Sequence, residues 1–81
     1  GRAFNHCFLA PGSGLGYHRH EGTTETMYIL RGQGRYTDEN GVETLLSPGD
    51  TTFTDSGQSH SLFCEGEEPL EFIALVLFKN Q

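Results

Sequence analysis

Apolar and polar residues alternate in short runs along this chain, and glycine or proline breaks the runs at regular intervals. A period of two marks a strand with one face turned to a core. The pattern predicts strands over 3–10, 17–20, 25–31, 35–38, 42–46, 51–54, 59–64 and 70–78. Residues 25–31 are rich in the β-branched and aromatic side chains that suit a pleated surface. Turn clusters separate the runs: Pro11 to Gly16, Gly32-Gln33-Gly34, Ser47-Pro48-Gly49-Asp50, Asp55-Ser56-Gly57 and the acidic loop 65–69. Asn40-Gly41 is a hairpin signal. No window carries a 3.6-residue period. Short strands of even spacing with such turns predict an all-β fold, an antiparallel sandwich or barrel. No linker or internal repeat interrupts it, so residues 1–81 read as a single domain.

The last strand departs from the alternation. Phe72, Ala74, Val76 and Phe78 fall on one face, and Ile73, Leu75 and Leu77 on the other. A strand apolar on both faces is expected to be covered on both. In so small a domain the second cover is expected to be another subunit, giving a homodimer through this C-terminal region. A segment preceding Gly1 and folding over this face is the alternative.

Size and charge narrow the function classes. Eighty-one residues bury a limited fraction of their surface, so a metal or a partner is expected to add stability. Five Lys and Arg against eleven Asp and Glu leave a net charge of −6, which argues against nucleic acid and anionic membranes as partners. No apolar run approaches the roughly 18 residues of a membrane helix, and no signal peptide is visible. A cytoplasmic location is the resulting expectation, although the chain opens at Gly1-Arg2 without a Met, so an upstream targeting segment stays open. Cys7 and Cys64 are too few for a disulfide scaffold and read as reduced, packed thiols.

The chemistry concentrates in His18-Arg19-His20-Glu21-Gly22-Thr23-Thr24-Glu25. Residues two apart on a strand share a face, so His18 and His20 aim into one space while Arg19 points away. His20 and Glu25 are an odd number of steps apart. A bend over Gly22-Thr23-Thr24 is therefore required, with Glu25 opening the next strand. Nitrogen and oxygen donors so arranged suit a metal ion. A further candidate, His60, lies after a turn far down the chain, and joins the set only if the fold brings it there. Met27 and Ile29 share a face with Glu25 and read as pocket wall. Tyr17, Arg19 and Arg31 read as solvent or subunit contacts rather than substrate contacts, Glu21 as a solvated loop carboxylate rather than an acid or base near the metal, and His6 as a structural histidine rather than a fifth ligand. No Ser-His-Asp arrangement and no phosphate-binding loop is visible.

The spacing extends further. Gly12 is followed by five residues, His18, one residue, His20, four residues, Glu25, six residues and Gly32. Later come Gly49, five residues, Asp55, one residue, Gly57, two residues, His60, three residues and Cys64. This resembles the two motifs of the cupin family. It departs at Asp55, where the family usually has Pro, and at Cys64, where it usually has Asn. The resemblance covers residues 12–64, about two-thirds of the chain. It implies a double-stranded β-helix, a small barrel of two sheets, with His18, His20, Glu25 and His60 converging on one divalent metal ion. Asp55 is expected to serve a turn. Cys64 shares the parity of His60 and is expected to face the interior and pack there. Three imidazoles and a carboxylate suit Mn, Fe, Co, Ni, Cu or Zn. Four protein ligands on an octahedral ion leave two positions open, at a net charge near +1, which favours a small anionic organic ligand. An enzyme of dioxygenase, isomerase or decarboxylase type is one expectation. A non-catalytic binding or sensing module is the other, and a metal-free structural barrel would make the four ligands coincidence.

Overall fold

The computed structural model describes residues 2–79. Eight strands run as β1 (Arg2–Leu9), β2 (Gly14–Arg19), β3 (Thr23–Arg31), β4 (Gln33–Thr37), β5 (Glu43–Leu46), β6 (Thr51–Thr54), β7 (Ser59–Glu65) and β8 (Leu70–Phe78). They form two four-stranded antiparallel sheets, in the orders β1-β8-β3-β6 and β2-β7-β4-β5. The chain changes sheet at every connection except the β4–β5 hairpin. Around that hairpin's Asn-Gly turn, the Asp38 carboxylate accepts the N–H groups of Asn40 and Val42, both at 2.9 Å.

The two sheets meet along rows of alternate residues. Glu25, Met27 and Ile29 on β3, Leu70, Phe72 and Ala74 on β8, and His60, Leu62 and Cys64 on β7 are all buried. Tyr36 and Leu46 complete the core. Met27 and Ile29 are fully enclosed, as their shared face with Glu25 predicts, and Cys64 faces inward with the parity of His60. The rows that build the core therefore also carry two of the candidate ligands, Glu25 and His60, to one end of it.

Gly32 lets β3 pass into β4 and so from one sheet to the other. Its φ of 82° lies in the left-handed region, and a Cβ there would run into the carbonyl oxygen of Pro69.

Three expectations need correction. The turn cluster ending at Gly16 is shorter than its composition suggests, because β2 already begins at Gly14. A Cβ on Gly14 would meet Leu62 O at 2.6 Å, so glycine here permits close strand approach rather than a turn. The bend between His20 and Glu25 lies at Glu21 and Gly22, with Gly22 at φ 76°, and Thr23 and Thr24 already belong to β3. Parity need not carry across that bend, because β2 and β3 lie in different sheets. The third concerns only the inside of the chain: the described residues do not themselves cover the outer face of the β8 sheet, so the second cover expected for β8 is not supplied within them. Phe4 on β1, Phe53 on β6 and Tyr28 on β3 remain 69%, 60% and 43% exposed beside the half-buried Ile73 and Leu75.

Candidate metal centre

His18 lies one residue before the end of β2, in an exposed position, and pairing places it directly opposite His60 of β7. His20 follows just beyond β2. Its N–H donates to Gln58 O at 2.9 Å and its carbonyl accepts from Gly57 N at 2.6 Å. The turn before β7 is thereby stapled to the His-x-His segment, which is how a residue forty positions away reaches the first two histidines. The turn itself is held by Asp55, whose carboxylate accepts from Ser56 N at 2.7 Å and from Lys79 Nζ at 2.9 Å. The hydrogen bond from Lys79 is the main reason that carboxyl lies below its usual range. Asp55 thus serves a turn, as expected.

The structure brings all four predicted residues together: one donor atom from each of His18, His20, Glu25 and His60 lies within 4.8 Å of the others. The tightest three are mutually adjacent. His20 Nε2 and His60 Nε2 are 2.9 Å apart, and Glu25 Oε1 sits 3.0 Å from the first and 3.1 Å from the second. Metal–nitrogen and metal–oxygen bonds of about 2.1 Å at right angles separate neighbouring donors by about 3.0 Å, whereas a tetrahedral centre would need about 3.4 Å. The spacing of these three donors suits right-angled coordination, with His18 standing further out.

The opposite ring nitrogens are engaged. His18 Nδ1 donates to Gly16 O at 2.7 Å; a carbonyl only accepts, so Nδ1 carries a proton. His20 Nδ1 lies 3.1 Å from Thr23 Oγ1, and His60 Nδ1 lies 2.9 Å from Thr54 Oγ1. Such partners on the far nitrogen fix ring orientation in metal sites. The sequence reading passed over Thr23, Thr54 and Tyr36; the only signal for Thr54 was its place on the inward face of a strand.

Electrostatics follow from burial and crowding. Burial, then the neighbouring His60 and His18, lower the His20 pKa from its ordinary 6.5, and Glu25 only partly opposes them. Burial alone would raise the Glu25 pKa. The hydrogen bond from His60 and the fields of His60, His20 and His18 outweigh it, so the carboxyl lies below 4.5 and stays ionised. A buried carboxylate with three imidazoles gathered round it is a cation site in chemical terms.

Other candidates stand apart. Cys64 lies outside the cluster, at the far end of the β7 row, and its thiol donates to Glu68 O at 3.1 Å. Tyr17 OH donates to Asp38 O at 2.9 Å, tying down the hairpin end. His6 pairs with Glu71 at 2.6 Å on the outer face. Arg19, Glu21 and Arg31 are exposed.

Comparison with known proteins identifies the family. The family model of the cupin domain matches residues 5–77. The chain belongs to the cupin family. Among curated proteins, this cupin is 46% identical over 76 residues to an oxalate-binding protein of Thermotoga maritima. The match covers 94% of the chain and 62% of that protein, so the chain spans less than two-thirds of its relative's length. Among solved structures, a predicted oxalate decarboxylase from Thermotoga maritima superposes with a TM-score of 0.89 at 45% identity, over 94% of this chain and 65% of that one. A Klebsiella pneumoniae protein with a double-stranded β-helix domain follows at TM-score 0.87 and 28% identity, over 98% and 69%. The cupin barrel expected from the two motifs is the fold observed.

Proposed function

We propose that this cupin holds one divalent transition-metal ion through His18, His20, Glu25 and His60 and offers it to a small anionic organic acid, oxalate being the first candidate. The observation that carries the reading is the donor set itself: three mutually adjacent atoms 2.9–3.1 Å apart, with a fourth residue at the exposed flank. The name of the oxalate-binding relative supports the choice of ligand. Bound there, an ion of this kind supplies a positive, Lewis-acidic centre with positions free for oxygen donors.

The chain's own residues do the rest. The imidazoles deliver neutral nitrogens, so only Glu25 offsets the charge of a dication, and a net positive centre attracts a dianion despite the acidic surface. Met27, one pair of residues along β3 from Glu25, walls the interior with apolar surface, which strengthens electrostatic contacts at the donors. His18 stands on the solvent side, which gives a ligand its approach.

The test is metal analysis of protein purified without supplementation, followed by calorimetric titration of the manganese-loaded protein with oxalate and with acetate. Binding of oxalate to the loaded protein, absent from the chelated protein and from His20→Ala, is expected. Unchanged metal content in His20→Ala refutes the ligand assignment. An enzymatic reading is favoured by the likeness to the predicted oxalate decarboxylase, and release of carbon dioxide with formate from oxalate would distinguish it from capture alone. A homodimer is part of the same proposal, with a second copy seated on the exposed apolar face of the β8 sheet.

A further inference from the structure

Behind His60, on the side away from the other donors, two hydroxyl groups converge on one nitrogen. Thr54 Oγ1 lies 2.9 Å from His60 Nδ1 and 2.8 Å from Tyr36 OH, and Tyr36 OH lies 3.3 Å from the same Nδ1. The three residues come from β6, β4 and β7 and are 2%, 8% and 1% exposed. The Tyr36 ring stands edge-on to the imidazole, with centroids 5.6 Å apart at 83°. Burial of this depth admits a polar cluster only when its members satisfy one another.

A count of protons gives two arrangements. With the His60 proton on Nε2, that N–H faces Glu25 Oε1 at 3.1 Å, Nδ1 accepts from Thr54, and Thr54 accepts from Tyr36. Every proton then has an acceptor. With the proton on Nδ1, that N–H donates to Thr54, Thr54 donates to Tyr36, and the Tyr36 proton must turn outward. Only the second arrangement leaves Nε2 with a lone pair.

We infer that Thr54 and Tyr36 are positioning residues for the metal centre: a reversible hydroxyl pair that takes up the Nδ1 proton of His60 when its Nε2 binds a metal ion. The inference rests on the ligand assignment proposed above. No net proton is gained or lost. The imidazole proton changes from Nε2 to Nδ1, the Thr54 hydrogen swings from Nδ1 to the Tyr36 oxygen, and the Tyr36 hydrogen swings away from Thr54. A valine at 54 keeps the shape of threonine and removes the oxygen. It leaves Nδ1 with only the longer contact to Tyr36.

The experiment compares the wild type with Thr54→Val, Thr54→Ser, Tyr36→Phe and His20→Ala. Zinc and manganese affinities come from chelator competition, and the histidine tautomers of the metal-free and zinc-loaded forms from nitrogen-15 NMR. Loss of such a partner lowers metal affinity about 10- to 100-fold, and that is expected for Thr54→Val. Thr54→Ser should restore affinity to near wild type. Tyr36→Phe should cost less, because Thr54 still accepts, but it should still cost, because the Thr54 hydrogen then lacks its acceptor in the loaded form. Wild-type affinity in both Thr54→Val and Tyr36→Phe, with His20→Ala defective, overturns the inference and spares the ligand assignment. Undiminished binding by His20→Ala overturns both. If Thr54→Val does not fold, the wild-type tautomers and Thr54→Ser decide: the same His60 tautomer in the metal-free and zinc-loaded wild type, or a serine that binds poorly, sinks the inference.

Discussion

Gly34 of β4 faces Leu62 of the neighbouring strand β7 and Leu70 of the opposite sheet, and a methyl group there gives a sharp test of the packing. Gly34 does not have positive φ, so only space is at issue. A Cβ would lie 2.9 Å from Leu62 Cδ1 and 3.0 Å from Leu70 Cδ2, roughly 0.5–1 Å inside the optimum for two carbons. Overpacking of this kind costs about 1–3 kcal/mol, offset by up to about 1 kcal/mol because alanine restricts the unfolded chain. Leu62 is 1% exposed, and Leu62→Ala should cost about 2–5 kcal/mol in transfer and cavity terms. The double variant should be better than the sum. The new methyl fills part of the space that Leu62 vacates and loses its closest clash, while the contact with Leu70 persists. A favourable coupling of at least about 1 kcal/mol is therefore expected. Urea titrations of the four metal-free proteins followed by far-UV circular dichroism measure it, provided their slopes agree. The single changes should also lower the melting temperature by about 4–8 °C for each kcal/mol. Should Leu62→Ala melt too low to measure, Leu62→Val lacks the same Cδ1 and closes the cycle. Additive costs, within about 0.5 kcal/mol, would refute the side-chain contact between the neighbouring strands β4 and β7.

Three further outcomes follow from the site and the surface. The metal-free protein should lose stability as pH falls from about 6.5, the ordinary His20 value, because the unfolded chain then binds the proton that folded His20 resists. Glu25, also lowered, adds a second loss below about 4.5, so urea midpoints should rise steadily from pH 4 to 7, and a midpoint that climbs on acidification would contradict the assigned environments. Removing metal with a chelator should lower the melting temperature by an amount that grows with prior metal concentration; equal melting with loss of metal confirmed would make the site energetically idle. Light scattering should give twice the 9.0 kDa chain mass for the wild type, and Phe53→Lys, which puts a charge on the exposed apolar face, should return a monomer; a monomeric wild type would remove that face as an interface.

Much of this was legible in the chain because a strand's two-residue period is local. The parity that lines up Met27 and Ile29 needs no knowledge of what packs against them, and the His18–His20 pair is a consequence of the same period. The convergence of His60 was legible only through motif spacing, since the staple between Gly57 and His20 is a contact between segments nearly forty residues apart. The start of β2 at Gly14 was missed because glycine reads as a turn residue, whereas here it answers to the backbone of Leu62. Thr54 and Tyr36 were missed for a related reason. Their partnership with His60 joins three strands across both sheets, and neither hydroxyl has a spacing that marks it.

The place of β8 has a consequence for how the chain comes to be folded. The first strand, β1, pairs only with the last, which lies between it and β3. During synthesis β1, with Phe4 and Phe8 on its outer side, must wait with its backbone unpaired until residues 70–78 emerge. The β3–β6 pair and the histidines of β2 and β7 can assemble earlier, since all precede that point. A nascent chain halted near residue 69 should therefore carry the makings of the donor cluster with its N-terminal strand free, open to chaperones or to exchange with a neighbouring chain. The sheet is completed only when residues 70–78 become available, and β8 then threads between two strands that were made long before it.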